Sequence, residues 1–249
     1  MRKNNLLLLG LVLLVAMTAC GVEAPLPTEK PLPEVVDLQI TPAVAHWLPL
    51  VAACAEGIPN FGISTQVLPR AELSLEESDL ILRLGERLDS DPFVAVMGLE
   101  EIVIVAGADV PVSSIGLASL QAIFSGTITH WGEVPGASVG DGGRGQRIKL
   151  LSYPEGHEIE ILFKQVYLED EPFNIEPQVF STIAFFENLI KIHPYALGYL
   201  LESQVPGGVR ILSLTTDDPV SSGQFVLAIT DEVPTGGLKQ LLLCLQNAQ

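Results

Sequence analysis

Leu117-Ala118-Ser119-Leu120-Gln121-Ala122-Ile123-Phe124-Ser125-Gly126-Thr127-Ile128-Thr129-His130-Trp131-Gly132-Glu133-Val134 is the most informative stretch of the chain. Leu117 to Phe124 reads as a helix, with apolar residues at helical spacing. Phe124, Ile128 and Trp131 read as packing residues that pin this helix and its following turn against the rest of the domain. Glycines at 132, 136, 140, 142, 143 and 145 then predict a flexible surface excursion from Gly132 to Gly145. That run has no Lys-Ser/Thr pair and does not sit tightly between a strand and a helix, so it is not a phosphate-cradling loop.

Working outward, short apolar runs alternate with helical patterns. Strands are expected at Val35–Ile40, Phe61–Leu68, Asp79–Leu84, Phe93–Gly98, Glu101–Ala106, Arg147–Ser152, Pro177–Phe180, Ala196–Leu201, Val209–Leu214 and Phe225–Thr230. Helices are expected at Pro42–Glu56, His157–Tyr167, Ser181–Ile192 and Thr235–Gln246. Thr41 suits an N-cap and Pro42 the first helical position, where a missing N–H costs nothing. Ile102-Val103-Ile104-Val105 is apolar on both faces, as in a buried parallel strand. The alternation predicts an α/β fold with mixed, mostly parallel sheets flanked by helices. Ligands of such folds bind beyond the carboxyl ends of strands, near helix N-termini.

The N-terminus carries Arg2 and Lys3, an apolar run from Leu6 to Met17, and then Thr18-Ala19-Cys20-Gly21. The run is short for a membrane span, which needs about 20 residues, and has the form of a secretory leader. The residues before Cys20 resemble a bacterial lipobox, which implies cleavage after residue 19 and a lipid on Cys20. Residues 20–34 hold four prolines, at 25, 27, 31 and 33, and suit a semi-extended tether to a membrane. The whole chain has 13 Lys and Arg against 30 Asp and Glu, a net charge of −17. Losing Arg2 and Lys3 with the leader leaves 11 against 30, or −19, which argues against a nucleic-acid partner. Cys54 and Cys244 fall in the first and last helical segments of an exported chain, and a disulfide between them is one expectation. Two buried free thiols are the other. The four histidines are scattered, and neither a metal site nor a cofactor is expected.

Residues 117–134 resemble the L-x-x-[IL]-F-x-G-x-I-x-x-W segment of phosphate-binding proteins of ABC importers, in the type 2 periplasmic-binding superfamily. Ile40-Thr41-Pro42 resembles that family's first strand-to-helix turn, Ser78-Asp79-Leu80 its second, and Ala196-Leu197-Gly198-Tyr199 the strand that begins the return. The resemblance implies two lobes joined by a hinge of two crossover strands. Lobe 1 would take residues 35–105 plus 200–249, and lobe 2 residues 106–199. It further implies a monomer with a small-molecule or anion ligand, on the extracytoplasmic side of a membrane, with an ABC transporter permease as partner.

One segment departs from the family. Where the family has R-x-x-G-S-G-T, this chain has Tyr153-Pro154-Glu155-Gly156-His157-Glu158-Ile159. A phosphate would lose a cation and two hydroxyl donors and gain a nearby carboxylate. Each lost charge-assisted bond is worth about 1.5–3 kcal/mol, so tight phosphate binding in the family's manner is not expected. Thr41, Asp79, Tyr153, Gly156 and His157 are the candidate ligand contacts, with His157 offering a part-protonated ring and Tyr153 a stacking face. Glu158 is expected to stabilise the dipole of its helix. The chain lacks a Gly-x-Ser-x-Gly elbow, a metal motif and a nucleophile–base pair, so binding rather than catalysis is expected. A binding-protein fold turned to sensing, scaffolding or protein binding is the alternative.

Overall fold

The computed structural model describes residues 32–137, 145–216 and 220–248. The leader, Cys20, most of the tether and residues 138–144 of the glycine-rich excursion lie outside the described residues. From Pro33 onward the chain forms one unit. Its elements are β1 (Glu34–Ile40), a 3-10 turn (Pro42–Trp47), α1 (Leu48–Glu56), β2 (Phe61–Val67), β3 (Leu80–Leu84) and β4 (Phe93–Ala106). Then come β5 (Ser114–Gly116), α2 (Leu117–Phe124), β6 (Lys149–Ser152), α3 (Glu158–Tyr167), β7 (Gln178–Val179) and α4 (Ile183–Ile192). The chain ends with β8 (Ala196–Leu201), β9 (Arg210–Thr215), β10 (Gly223–Thr230) and α5 (Gly236–Asn247).

Three expectations differ from what the structure shows. The helix expected over Pro42–Glu56 is a 3-10 turn followed by α1, because Pro49 has no N–H to donate to Ala45 and its ring crowds that carbonyl. The two runs Phe93–Gly98 and Glu101–Ala106 are one 14-residue strand, β4. A register shift opposite Val226 and Leu227 leaves Met97 as an extra residue there, and the strand continues through it. Ile102–Val105 is well buried as expected, yet it pairs antiparallel with β8 and β9 rather than parallel.

The strands run in the order β2-β1-β3-β10-β4-β8-β6-β7, with β9 on β4 and β5. β4 is shared: Phe93–Glu101 pairs with β10, and Ile102–Ala106 pairs with β8 and β9. One strand therefore belongs to both halves of the sheet. Residues 200–215 pair with the second half, through Leu200 and Leu201 of β8 and through β9, so the chain returns to the first half only after β9.

The segment at 117–134 packs as its sequence implies. Phe124 is fully buried, with ring centroids 4.9 Å from Phe163 and 5.1 Å from Phe173. Phe163 in turn stacks on Tyr199 at 3.8 Å. The Trp131 ring is buried and its Nε1–H donates to the Tyr195 carbonyl at 2.9 Å. A disulfide joins Cys54 of α1 to Cys244 of α5. No described helix is long and apolar enough to cross a membrane.

Candidate functional site

β1 and β3 run parallel and adjacent, so both end at the same edge of the sheet. Thr41 follows β1 there, its N–H donating to the Leu82 carbonyl at 3.1 Å, and Leu84 closes β3. The start of α3 faces these two strand ends. Thr41 is fully buried, but its hydroxyl does not cap the following turn as expected. It donates instead to Glu158 Oε2 at 2.6 Å. The Leu84 N–H donates to the same oxygen at 3.2 Å. The Arg70 guanidinium lies 3.6 Å from Glu158 Oε1, which has no hydrogen bond of its own.

Glu158, expected to lie along its helix dipole, is therefore 3 % exposed and reaches across to the first half. Burial pushes its carboxyl above the usual range, and the bonds from Thr41 and Leu84, then Arg70 and Arg83, offset only part of that. Sequence reasoning missed it as a site residue because its partners lie 74 to 117 residues away. The available signal was a carboxylate in the middle of a segment where the resembling family has Ser-Gly-Thr.

The remaining candidates do not meet at this point. Tyr153 is buried in an aromatic cluster, 4.4 Å from the Phe180 ring centroid and stacked on His157 at 4.3 Å. Its hydroxyl has no hydrogen bond, and burial pushes its pKa up. His157 is the N-cap of α3, its Nδ1 accepting from the Ile159 N–H at 3.3 Å. Burial lowers its pKa to about 4, so the ring is neutral near pH 7 and holds no anion by charge. Gly156 adopts φ +81°, a conformation glycine supplies without strain, and its N–H donates to Glu160 Oε2 at 3.3 Å. Asp79 precedes β3, five residues and about 16 Å of strand from Leu84. There it is exposed, and its Oδ2 accepts from the Asp37 N–H at 2.9 Å. Asp79 thus stands at the opposite end of the strand from Thr41.

Beside the Glu158 cluster opens a cavity of about 830 Å³, lined among others by Arg70, Glu86, Leu99, Glu101, Gln165 and Phe225. Its walls come from the loop after β3, from β4 and β10 near the switch in pairing, and from α3. Neither Tyr153 nor His157 lines it. A second buried carboxylate, Glu100, holds the 3-10 turn from below. Its Oε1 lies 2.9 Å from His46 Nε2 and accepts from Trp47 Nε1 at 3.3 Å, while Oε2 accepts from the Ser203 hydroxyl at 2.6 Å. Burial pushes this carboxyl up, but the bonds from His46, Ser203 and Trp47 outweigh it and leave it below the usual range. No cluster of three metal-ligating side chains occurs among the described residues.

No protein-family model matches the sequence, and no curated protein matches it at the sequence level. Solved structures do. An ABC-type phosphate transport receptor from Vibrio cholerae superposes with a TM-score of 0.66 at 14 % identity, covering 85 % of this chain and 93 % of that one. PstS from Borrelia burgdorferi gives 0.55 at 13 % identity, covering 85 % and 92 %. The chain has the type 2 periplasmic-binding-protein fold. The reduced OxyR regulatory domain from Pseudomonas aeruginosa shares it, with a TM-score of 0.59 at 15 % identity over 86 % of this chain and 98 % of that one. The fold thus serves both transport receptors and a regulatory domain, and it alone does not assign a function. The Glu158 cluster lies at the carboxyl ends of β1 and β3, where binding sites of open α/β sheets form. The cavity beside it opens after the carboxyl end of β3, against the middle of β4 and the start of β10.

Proposed function

We propose that this chain is an extracytoplasmic solute-binding protein that delivers a small solute to an ABC importer, held at the membrane by a lipid on Cys20. The observation that carries this reading is the cavity of about 830 Å³ at the switch in β4 pairing. It is large enough for a small organic molecule. Glu86 and Glu101 supply acceptors, Gln165 and Gln224 supply both donors and acceptors, and the half-exposed Leu99 and Phe225 supply apolar surface, while the Arg70 guanidinium is already paired with Glu158. That lining suits a polar organic solute bearing amino or hydroxyl groups better than a free phosphate. The two lobes are the two halves of the sheet, pivoting at β4 and at the return after β9. The leader-like N-terminus and the Cys54–Cys244 disulfide both suit an oxidising, extracytoplasmic compartment.

A thermal-shift panel of phosphate, sulfate, molybdate, amino acids and sugars tests the proposal. At 100 times Kd a ligand contributes about 2.7 kcal/mol, a rise in Tm of about 5–10 °C for a domain of this size. One organic solute is expected to give that rise, and Glu101→Gln to reduce it. A flat response across the panel overturns the reading. It would favour the second one, a binding-protein fold acting as a sensor or scaffold. The occupation of the Thr41 and Leu84 donors by Glu158 supports that alternative, because these donors need no outside ligand.

A further inference from the structure

Three donors from separate segments converge on one point at the edge of the sheet. The Thr41 hydroxyl, the Leu84 N–H and the Arg70 guanidinium face the same carboxylate, at 2.6, 3.2 and 3.6 Å. A hydroxyl, a main-chain N–H and a guanidinium recognise oxygen-borne negative charge whatever covalent frame carries it. The two oxygens of a carboxylate present the same charge and the same acceptor-only character as two oxygens of a phosphate or sulfate. Thr41 is fully buried and its hydroxyl caps nothing, so its donor is committed to this point. The cluster does not saturate the carboxylate, since Oε1 has an ion pair but no hydrogen bond. The fit is that of one anion in a place that accepts another.

We propose that Glu158 is a tethered anion: its carboxylate fills the donor cluster of Thr41, Leu84 and Arg70, bars free oxyanions from it, and fastens α3 to the ends of β1 and β3 without a ligand. A group delivered by its own chain competes at an effective concentration in the millimolar range or above, so a dissolved anion must displace it against that advantage. It must also leave a buried carboxylate unpaired, which is costly. The inference does not depend on any solute occupying the neighbouring cavity.

The test compares wild type, Glu158→Ala and Glu158→Gln by thermal shift and calorimetry in inorganic phosphate and in sulfate, against chloride at matched ionic strength. Wild type and Glu158→Gln, which keeps the shape, are expected to stay flat. Glu158→Ala is expected to gain about 3–5 °C in Tm at ten times the anion Kd. Adding Thr41→Val to it should weaken that binding at least tenfold. If Glu158→Ala does not fold without anion, Glu158→Ser makes a similar opening with a small polar residue, and is read the same way. A flat response from the opened variant, or an equal gain in wild type, overturns the proposal. An organic solute that stabilises wild type and Glu158→Ala alike still supports the cavity reading, so the two ideas fail separately.

Discussion

Glu100 and Glu158 are both buried glutamates bonded to the segment Thr41–Trp47, one from β4 and one from α3, yet their surroundings treat the charge in opposite ways. Glu100 receives bonds from His46, Trp47 and Ser203, and both of its oxygens are engaged. Those bonds outweigh burial and hold the carboxyl below its usual range. Glu158 receives two bonds on one oxygen and a looser ion pair on the other, and burial prevails. Glu100 is thus built as a structural joint, fully paired. Glu158 is held by a cluster that does not fully satisfy it. The difference shows that burial alone does not set the state of a buried carboxylate; the donors around each oxygen decide it too.

The largest expected effect comes from breaking the joint. Glu100→Ala leaves the Trp47 N–H, the Ser203 hydroxyl and one His46 nitrogen without their acceptor. Each donor left without its acceptor costs about 1–3 kcal/mol, and a total of about 3–5 kcal/mol lowers Tm by about 10 °C for a domain of this size. Urea denaturation measures it directly. A loss under 1 kcal/mol would show that water or neighbouring groups replace the acceptor, and Glu100 would not be the joint described.

Glu158→Ala is expected to cost less, about 1–2 kcal/mol in chloride buffer, because the lost bonds are offset by removal of an incompletely paired buried charge. Equal losses in the two alanine variants would erase the contrast between them. A smaller loss at position 158 that phosphate or sulfate restores would sharpen it.

The sequence carried the frame of this molecule further than its site. α2 and β8 have the bounds expected of them, and the Phe124 and Trp131 contacts follow from one contiguous run of residues. Local periodicity encodes such features. It does not encode which strand a buried run pairs with, so Ile102–Val105 came out antiparallel. The site is harder still, because Thr41, Arg70, Leu84 and Glu158 meet only through sheet order and the docking of α3. Asp79 illustrates the limit: its neighbour in sequence, β3, meets α3 at Leu84, and nothing local says which end of the strand does so. Tyr153 and His157 read as ligand contacts near a helix start, and nothing local says that they stack on each other and turn into the aromatic core.

The smallest expected effect is also the most specific to the comparison, because it is a difference in sign. Glu100 has a folded-state pKa below its unfolded value, so its contribution to stability is present above the unfolded pKa and is lost as pH falls through the folded one. Glu158 has a folded-state pKa above its unfolded value, so the folded chain holds its proton more tightly. Its contribution is present below the unfolded pKa and is lost as pH rises through the folded one. Replacing each by Gln removes the titration while keeping the shape. Urea denaturation from pH 4 to pH 7 should then show Glu100→Gln falling progressively below wild type as pH rises, and Glu158→Gln gaining on wild type over the same range. Curves for both variants that run parallel to wild type would mean that neither carboxyl changes its pKa on folding, and the contrast between the two surroundings would fall with them.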